Sequence, residues 1–200
     1  DGLILCDTNG GSLPDFITQA VLKVKETFKG AKIGIHCHND SGVATANSIV
    51  AVDAGASHIQ GTINGYGERC GNANLCSIIP NINLKTENHS ISRRELKRLV
   101  DLSYYVSELA NMAPNDKQPY VGYSAFAHKG GMHVNAVQKN PITFEHVAPE
   151  TVGNHRRILI SELAGKSNIL LKAKEFKIGL DKESPYIKEI FNKYVNKSKN

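Results

Sequence analysis

Short apolar runs alternate with helix-period segments along the first part of this chain, and this alternation constrains the fold more than any other feature. The apolar runs cover residues 2–6, 32–36 and 58–62. Apolar residues at helical spacing follow each run; Pro14 suits the first turn of one helix, and a third helix is expected over residues 73–80. Three strand-helix units in succession predict a parallel sheet with right-handed crossovers, so the predicted class is α/β.

Polar residues cluster directly after each apolar run. The clusters are Asp7 to Gly11, His36 to Asp40 and Asn64 to Asn72. In parallel α/β folds the functional groups collect at the carboxyl ends of the strands. We therefore expect the three clusters to face one pocket.

Two histidines are the most specific chemical signal in these clusters. His36 and His38 are two residues apart at the end of a strand, so their side chains share a face and can bind one divalent metal. Asn72 can add an amide oxygen, and a carboxylate ligand would still be needed. This mixture of nitrogen and oxygen donors leaves zinc, manganese, iron and magnesium open. The alternative is that the histidines are ordinary polar residues at a strand end and Asn72 a turn or cap residue.

A glycine-rich segment precedes Asn72. Gly65, Gly67 and Gly71 are spaced one residue wider than the dinucleotide-binding fingerprint, and no acidic residue is positioned for a ribose, so we exclude a Rossmann assignment. Such a loop still brings backbone N–H groups close to a phosphate or thioester. Glu68 within it is a candidate acid or base, with a surface ion pair to Arg69 as the alternative.

Four further residues are weaker candidates. The Thr8 hydroxyl suits a substrate carboxylate or a cap for the following helix. Asp7 and Asp40 are expected to hold the imidazoles in place. His133 is a candidate general base only if the fold or a partner chain brings it to the pocket.

The pattern changes after Leu84. Ser92 and Glu95 form a capping-box sequence at the start of one long predicted helix that ends near Pro114. Residues 114–131 are rich in Gly, Pro and Tyr and predict a long loop that closes over a site. Two more helices are expected over residues 166–176 and 186–195.

Composition narrows the function classes. With 40% apolar and 22% charged residues the chain is an ordinary globular one, and its net charge of +5 suits anionic ligands. The lysines bunch only near the C-terminus, which does not favour nucleic-acid binding. No apolar run approaches the ~20 residues of a membrane span. The four cysteines form no Cys-x-x-Cys pair, and nothing resembles a secretory signal, so we expect reduced thiols in a cytoplasmic protein.

Taken together, these segments resemble a known family. Residues 33–47 (IGIHCHNDSGVATAN), 61–74 (GTINGYGERCGNAN) and 5–11 (LCDTNGG) are similar to signatures of the metal-dependent acyl-CoA condensing barrels. The family includes isopropylmalate, homocitrate and citramalate synthases, and residues 121–169 most resemble its citramalate-forming branch. The resemblance implies that residues 1–86 are the last three strand-helix units of a (β/α)8 TIM barrel and residues 87–200 a mainly helical subdomain.

The resemblance also implies roles for individual residues. His36, His38 and Asn72 match metal ligands, and Thr8 matches the residue that contacts the carboxylate of a 2-oxo acid. Glu68 matches an acidic residue beside the acyl-CoA site.

The subdomain match is less complete. His133 matches a histidine that reaches the active site of the opposite protomer in the family's homodimers. Relatives also supply a tyrosine soon after that histidine, whereas here Phe144 is the nearest aromatic residue. Part of the expected acid-base machinery therefore departs from the family pattern.

The implied reaction is the metal-dependent condensation of acetyl-CoA with pyruvate, which gives citramalate and CoA. A relative that uses 2-oxoisovalerate or 2-oxoglutarate is one alternative, and a non-catalytic scaffold or binding module is another. A complete barrel takes ~250 residues. We therefore expect these 200 residues alone to turn over no substrate and to bind metal weakly.

Overall fold

The computed structural model describes residues 2–129, 134, 136–137, 139–159, 166–181 and 184–194. The chain forms two compact units. One comprises Asp1–Pro114 with Pro119–Val121, and the other comprises Asn115–Gln118 with Gly122–Asn200. Among the helices in these ranges, none is both long enough and apolar enough to cross a bilayer.

A three-stranded parallel sheet forms the centre of the first unit. Its strands are β1 (Gly2–Asp7), β2 (Lys32–Cys37) and β3 (His58–Gln60), in the order β1-β2-β3. In the described part of the chain β1 is an edge strand, and its Leu3 and Ile4 are 39% and 38% exposed. The predicted α/β class with a parallel sheet is confirmed.

Three helices accompany the sheet, namely α1 (Pro14–Thr27), α2 (Ala44–Asp53) and α3 (Leu75–Lys85). Their buried faces and β2 form one apolar core, which includes Ile17, Val21, Ile33, Ile35, Ala51 and Ile78. Burial of a side chain such as Ile35 contributes about 1.5–3 kcal/mol. This core holds the carboxyl ends of β1, β2 and β3 in fixed register.

Helix α3 is longer than its sequence predicts. Pro80 is a helix breaker, and the predicted helix ends there, but α3 continues to Lys85. Ile78 and Ile82 are buried on either side of the proline, and their burial offsets the lost backbone hydrogen bond. Asn74 caps the start of the helix by accepting from the N–H of Cys76.

The predicted long helix after Ser92 is two helices. The Ser92–Glu95 capping box is present and begins α4 (Arg93–Leu96), and α5 (Leu99–Leu109) follows. The backbone of Arg98 leaves the helical region between them, with φ −94° and ψ 3°. Leu96 and Leu99 are both buried, and α5 ends before the predicted Pro114.

The second unit contains short elements. β4 (Ala127–His128) pairs in parallel with β5 (Arg157–Ile158), and the helices α6 (Lys166–Glu175) and α7 (Pro185–Tyr194) lie close to their predicted positions. Short 3₁₀ turns occupy Pro141–Thr143 and Pro149–Val152.

An ionic cluster centred on the buried Glu145 joins β4 to the segments that follow the two 3₁₀ turns. Glu145 is 3% exposed and accepts hydrogen bonds from Arg156 Nε at 2.6 Å and His128 Nε2 at 2.9 Å. Burial alone would raise the pKa of Glu145, but the hydrogen bonds from Arg156 and His128 outweigh it and lower the pKa below its ordinary value. The cluster ties β4 to the segment that carries Phe144.

Candidate functional site

Backbone hydrogen bonds join the loops that follow β1, β2 and β3. Asp7 and Cys37 are paired in register at the ends of β1 and β2. The N–H of Ser41 donates to the carbonyl of Gly10 at 3.0 Å, and the N–H of Asn39 donates to the carbonyl of Gly71 at 2.9 Å. The three polar clusters are therefore neighbours at the carboxyl edge of the sheet.

His36 and His38 lie side by side at this edge. Their ring centroids are 5.3 Å apart, the rings meet edge to face, and both residues are half-buried. Nδ1 of His38 is buried and has no hydrogen-bond partner. An imidazole nitrogen in this condition has a lone pair or a proton available for a ligand.

Asn72 lies directly beside His38. The backbones of the two residues form an isolated antiparallel bridge. Nδ2 of Asn72 donates to the carbonyl of Tyr66 at 3.0 Å, whereas its buried Oδ1 has no partner. An unsatisfied buried polar atom costs about 1–3 kcal/mol, so two of them on adjacent residues indicate a place built for a ligand. One nitrogen and one oxygen donor fit a divalent transition metal.

The donor set lacks a carboxylate. Within the described ranges, no three His, Cys, Asp or Glu side chains are grouped to hold a metal ion. The predicted role of Asp7 as a support for an imidazole is wrong, because its carboxylate accepts from the backbone N–H and hydroxyl of Ser12 at 3.3 and 2.9 Å. Asp7 nevertheless contacts His38 through its carbonyl, which accepts from the His38 N–H at 3.2 Å.

Arg69 connects the three loops through one guanidinium group. Nε and Nη2 donate to the two carboxylate oxygens of Asp40 at 2.7 and 3.0 Å, and Nη2 also donates to the carbonyl of Thr8 at 2.7 Å. The Arg69 hydrogen bond lowers the pKa of Asp40. The hydrogen-bond partner of Asp40 is thus Arg69, and the charge of His38 makes a smaller contribution to the lowered pKa of Asp40. From the sequence, Arg69 is expected only as a partner of Glu68, and no local pattern points to this longer-range contact.

Thr8 and Glu68, the neighbours of these contacts, are both exposed. Thr8 is not the cap of α1, because Leu13 is the N-cap residue and makes no side-chain cap. The Arg69 guanidinium binds Asp40 and the Thr8 carbonyl, and the charge of Glu68 raises the pKa of Arg69 less than Asp40 does. His133 lies outside the described residues.

The thiol of Cys37, between the two histidines, is unreactive. Cys37 is fully buried, and burial, with a smaller contribution from Asp7, raises its pKa to about 12. A thiol with this pKa stays protonated at neutral pH and is a poor nucleophile. All four cysteines of the chain are free.

We expect Arg69→Met to loosen the contacts between the three loops. The variant keeps the length of the side chain but loses every hydrogen bond to Asp40 and Thr8, so backbone N–H groups of Asn39 and Asn72 should exchange with solvent on the order of tenfold faster. Arg69→Lys should give a smaller increase, because an ammonium group cannot form the bidentate contact.

Hydrogen exchange measured by NMR tests this expectation. Arg94→Met, an exposed arginine in α4, serves as the matched control. Equal exchange rates in Arg69→Met and in the control would show that Arg69 does not hold the three loops together.

Two families match the chain in sequence. Residues 3–106 match the HMGL-like family, and residues 120–199 match the homocitrate synthase post-HMGL domain-like family. The chain is 54% identical over 195 residues to an (R)-citramalate synthase from Synechocystis sp., with coverage of 94% of this chain and 36% of that protein. It is 55% identical over 193 residues to an (R)-citramalate synthase from Aquifex aeolicus, with coverage of 96% and 37%. The chain thus spans little more than a third of the length of these relatives.

A solved structure agrees on the fold. An HMG-CoA lyase from Bacillus subtilis superposes with a TM-score of 0.50 at 22% identity, over 56% of this chain and 39% of that one. This likeness supports a TIM-barrel-type arrangement of the strand-helix units. Because the HMGL-like match covers more than half of the 200 residues, including His36, His38 and Asn72, the chain belongs to the HMGL-like family.

Proposed function

We propose that this chain forms part of an acyltransferase that condenses acetyl-CoA with pyruvate to give citramalate and CoA. Its similarity to (R)-citramalate synthases along nearly its whole length supports this substrate pair. The observation that carries the proposal is the pair of unsatisfied buried atoms, His38 Nδ1 and Asn72 Oδ1, on residues whose backbones are bridged.

His36, His38 and Asn72 would hold a divalent cation at the edge of the sheet. When bound, such an ion supplies Lewis-acid polarisation of the keto group of the 2-oxo acid. The missing carboxylate ligand would come from another segment of the intact protein. Manganese, magnesium and zinc all remain compatible with this donor set.

Thr8 would bind the carboxylate of the 2-oxo acid through its hydroxyl. The Thr8 carbonyl accepts from Arg69, and this contact fixes the backbone that carries the hydroxyl. The exposed side chain is therefore anchored at its base and accessible at its tip. The chain's net charge of +5 is favourable for two anionic substrates.

Glu68 and His133 would serve the proton transfers. A base removes a proton from the acetyl methyl group, the resulting carbanion forms a carbon-carbon bond to the keto carbon, and the keto oxygen gains a proton to become a hydroxyl. Water then cleaves the thioester and releases CoA as a free thiol. Glu68, exposed in the glycine-rich loop, would lie beside the acyl-CoA, and His133 of the partner subunit would complete the site in a homodimer. The four free cysteines support a reducing cytoplasmic compartment.

Substrate competition tests the assignment. The protein encoded by the complete open reading frame should release thiol from acetyl-CoA with pyruvate at a kcat/KM at least about tenfold above that with 2-oxoisovalerate or 2-oxoglutarate. Mass spectrometry should identify the product as citramalate. A preference for either other acid would reassign the substrate within the family, and no thiol release with any acid would favour a non-catalytic scaffold. The 200 residues alone should release none.

A further inference from the structure

Asn64, in the loop that follows β3, has an unusual backbone conformation. It lies in the 3₁₀ turn Ile63–Gly65 with φ 64° and ψ 5°, in the left-handed region. This region costs a non-glycine residue roughly 1–2 kcal/mol, and asparagine tolerates it better than most residues. A conformation of this kind persists where surrounding contacts hold it.

The Asn64 side chain supplies those contacts by binding α5 and α3. Nδ2 donates to the carbonyl of Ser103 at 2.8 Å and to the hydroxyl of Ser107 at 3.0 Å. Oδ1 accepts from the Ser103 hydroxyl at 2.6 Å and from the Cys76 thiol at 3.5 Å. Ser103 and Ser107 are buried and one helical turn apart, so the carboxamide uses both donors and both acceptor positions in a protected place.

Tyr66 extends the same attachment. Its hydroxyl is 3.0 Å from the Ser107 hydroxyl, which fixes the other end of the turn to α5. Its carbonyl accepts from the Thr62 hydroxyl at 2.6 Å and from Nδ2 of Asn72 at 3.0 Å. The position of this carbonyl therefore depends on how the turn is held against α5.

The turn that contains Asn64 also orients Asn72. The N–H of Asn72 donates to the carbonyl of Gly65 at 2.9 Å, and its Nδ2 donates to the carbonyl of the next residue, Tyr66. The backbone and the side chain of Asn72 are therefore both attached to this turn. Because Nδ2 is occupied by the Tyr66 carbonyl, Oδ1 is the atom left unsatisfied. A rotated carboxamide would direct an NH₂ group to the position where a cation needs an oxygen.

We infer that Asn64 is a positioning residue that holds the turn of residues 64–66 on α5, so that the Tyr66 carbonyl fixes the Asn72 carboxamide with Oδ1 directed outward as a ligand. The carboxamide of Asn64 is bonded to α5 and α3, so its effect on a ligand is exerted through the turn. The ligand role of Asn72 rests on the proposed function, whereas the orientation of its carboxamide does not.

Asn64→Gly is the informative variant, because glycine adopts the left-handed conformation freely and removes only the side-chain contacts. Asn81→Ala is the matched control. Asn81 also joins distant parts of the chain, since it donates to the Ser77 carbonyl within α3 at 2.8 Å and accepts from the Tyr120 hydroxyl at 2.9 Å, and neither hydrogen bond involves the turn.

Two measurements on the protein encoded by the complete open reading frame test the inference. Selective ¹⁵N-asparagine labelling follows the side-chain NH₂ of Asn72, whose hydrogens should exchange on the order of tenfold faster in Asn64→Gly and unchanged in Asn81→Ala. Titration with Mn²⁺ alone should give binding about 10–100-fold weaker in Asn64→Gly. In the Asn72→Ala background the same substitution should cause no further loss.

The outcomes separate the two proposals. An unchanged Asn72 NH₂ signal in Asn64→Gly would overturn the positioning role, whatever the metal does. A further loss of Mn²⁺ affinity in the Asn72→Ala background would also overturn it, because Asn64 would then act by another route. A changed NH₂ signal in a protein that binds no Mn²⁺ in any form would uphold the positioning role and contradict the proposed function.

Discussion

We expect His38→Ala to weaken the binding of Mn²⁺ by on the order of a hundredfold or more and to abolish thiol release from acetyl-CoA and pyruvate. Removal of an outer partner of a metal ligand already costs 10–100-fold in affinity, and His38 is proposed as a ligand itself. Its Nδ1 is the buried nitrogen without a partner, next to the unsatisfied Oδ1 of Asn72. His36→Ala should have an effect of similar size, because the two rings are 5.3 Å apart at the same edge.

Titration calorimetry with Mn²⁺ on the protein encoded by the complete open reading frame measures the affinity. His58→Ala is the matched control, since His58 begins β3, is paired in register with Gly34 rather than with His36, and is exposed. The control should bind Mn²⁺ as the parent does. Parent-like affinity in His38→Ala would contradict the proposed centre, and equal losses in His38→Ala and His58→Ala would indicate damage to the sheet instead.

The second large effect concerns the buried cluster in the other unit. Glu145→Gln should destabilise that unit by about 3 kcal/mol, because it leaves His128 and Arg156 without their carboxylate. Removal of one partner of a buried ion pair usually costs about 3–5 kcal/mol. The lower end of this range is expected here, because the Arg156 side chain is 35% exposed and solvent screens part of its charge. Urea unfolding at neutral pH measures the change.

The same variant should alter the dependence of stability on pH. The pKa of Glu145 is lower in the folded chain than its ordinary value of about 4.3, so its contribution is present above that pH and is lost as the pH falls through the folded-state pKa. Glutamine does not titrate, so the loss of stability below about pH 4 should be smaller in Glu145→Gln.

Glu150→Gln is the control for both effects. Glu150 is an exposed carboxylate in the same unit whose charge also acts on Arg156. Its removal should change the free energy of unfolding by less than about 0.5 kcal/mol. A similar loss in the two variants would show that net charge, rather than the buried contact, governs stability.

Local periodicity explains which elements were predicted correctly. β1 and β2 end one residue beyond their predicted ends, and this close agreement follows because a short apolar run is visible in the residues themselves. β3 is shorter than predicted, since the N–H of Thr62 donates to the Ala73 carbonyl and its hydroxyl to the Tyr66 carbonyl. Burial of Ile82, a tertiary effect, carries α3 past Pro80.

In the candidate site, too, the features that follow from local geometry can be predicted from the sequence, whereas those that depend on tertiary contacts cannot. The proximity of His36 and His38 follows from strand geometry and needs no knowledge of the rest of the fold. The orientation of Asn72 depends on Tyr66 and through it on α5, which the sequence places more than 30 residues away. The hydrogen bonds from Arg69 to Asp40 could not be predicted either, because a contact between two distant loops produces no periodic pattern in the sequence.

The open border of the sheet affects how the purified polypeptide will behave. β1 has a neighbour on one side only in the described part of the chain, and it presents Leu3 and Ile4 to water at 39% and 38% exposure. Unpaired backbone groups beside apolar side chains act as a template for strands of other molecules. Colloidal behaviour at high concentration will therefore be governed by this border, and a lysine placed along it is the natural way to keep the sample monodisperse.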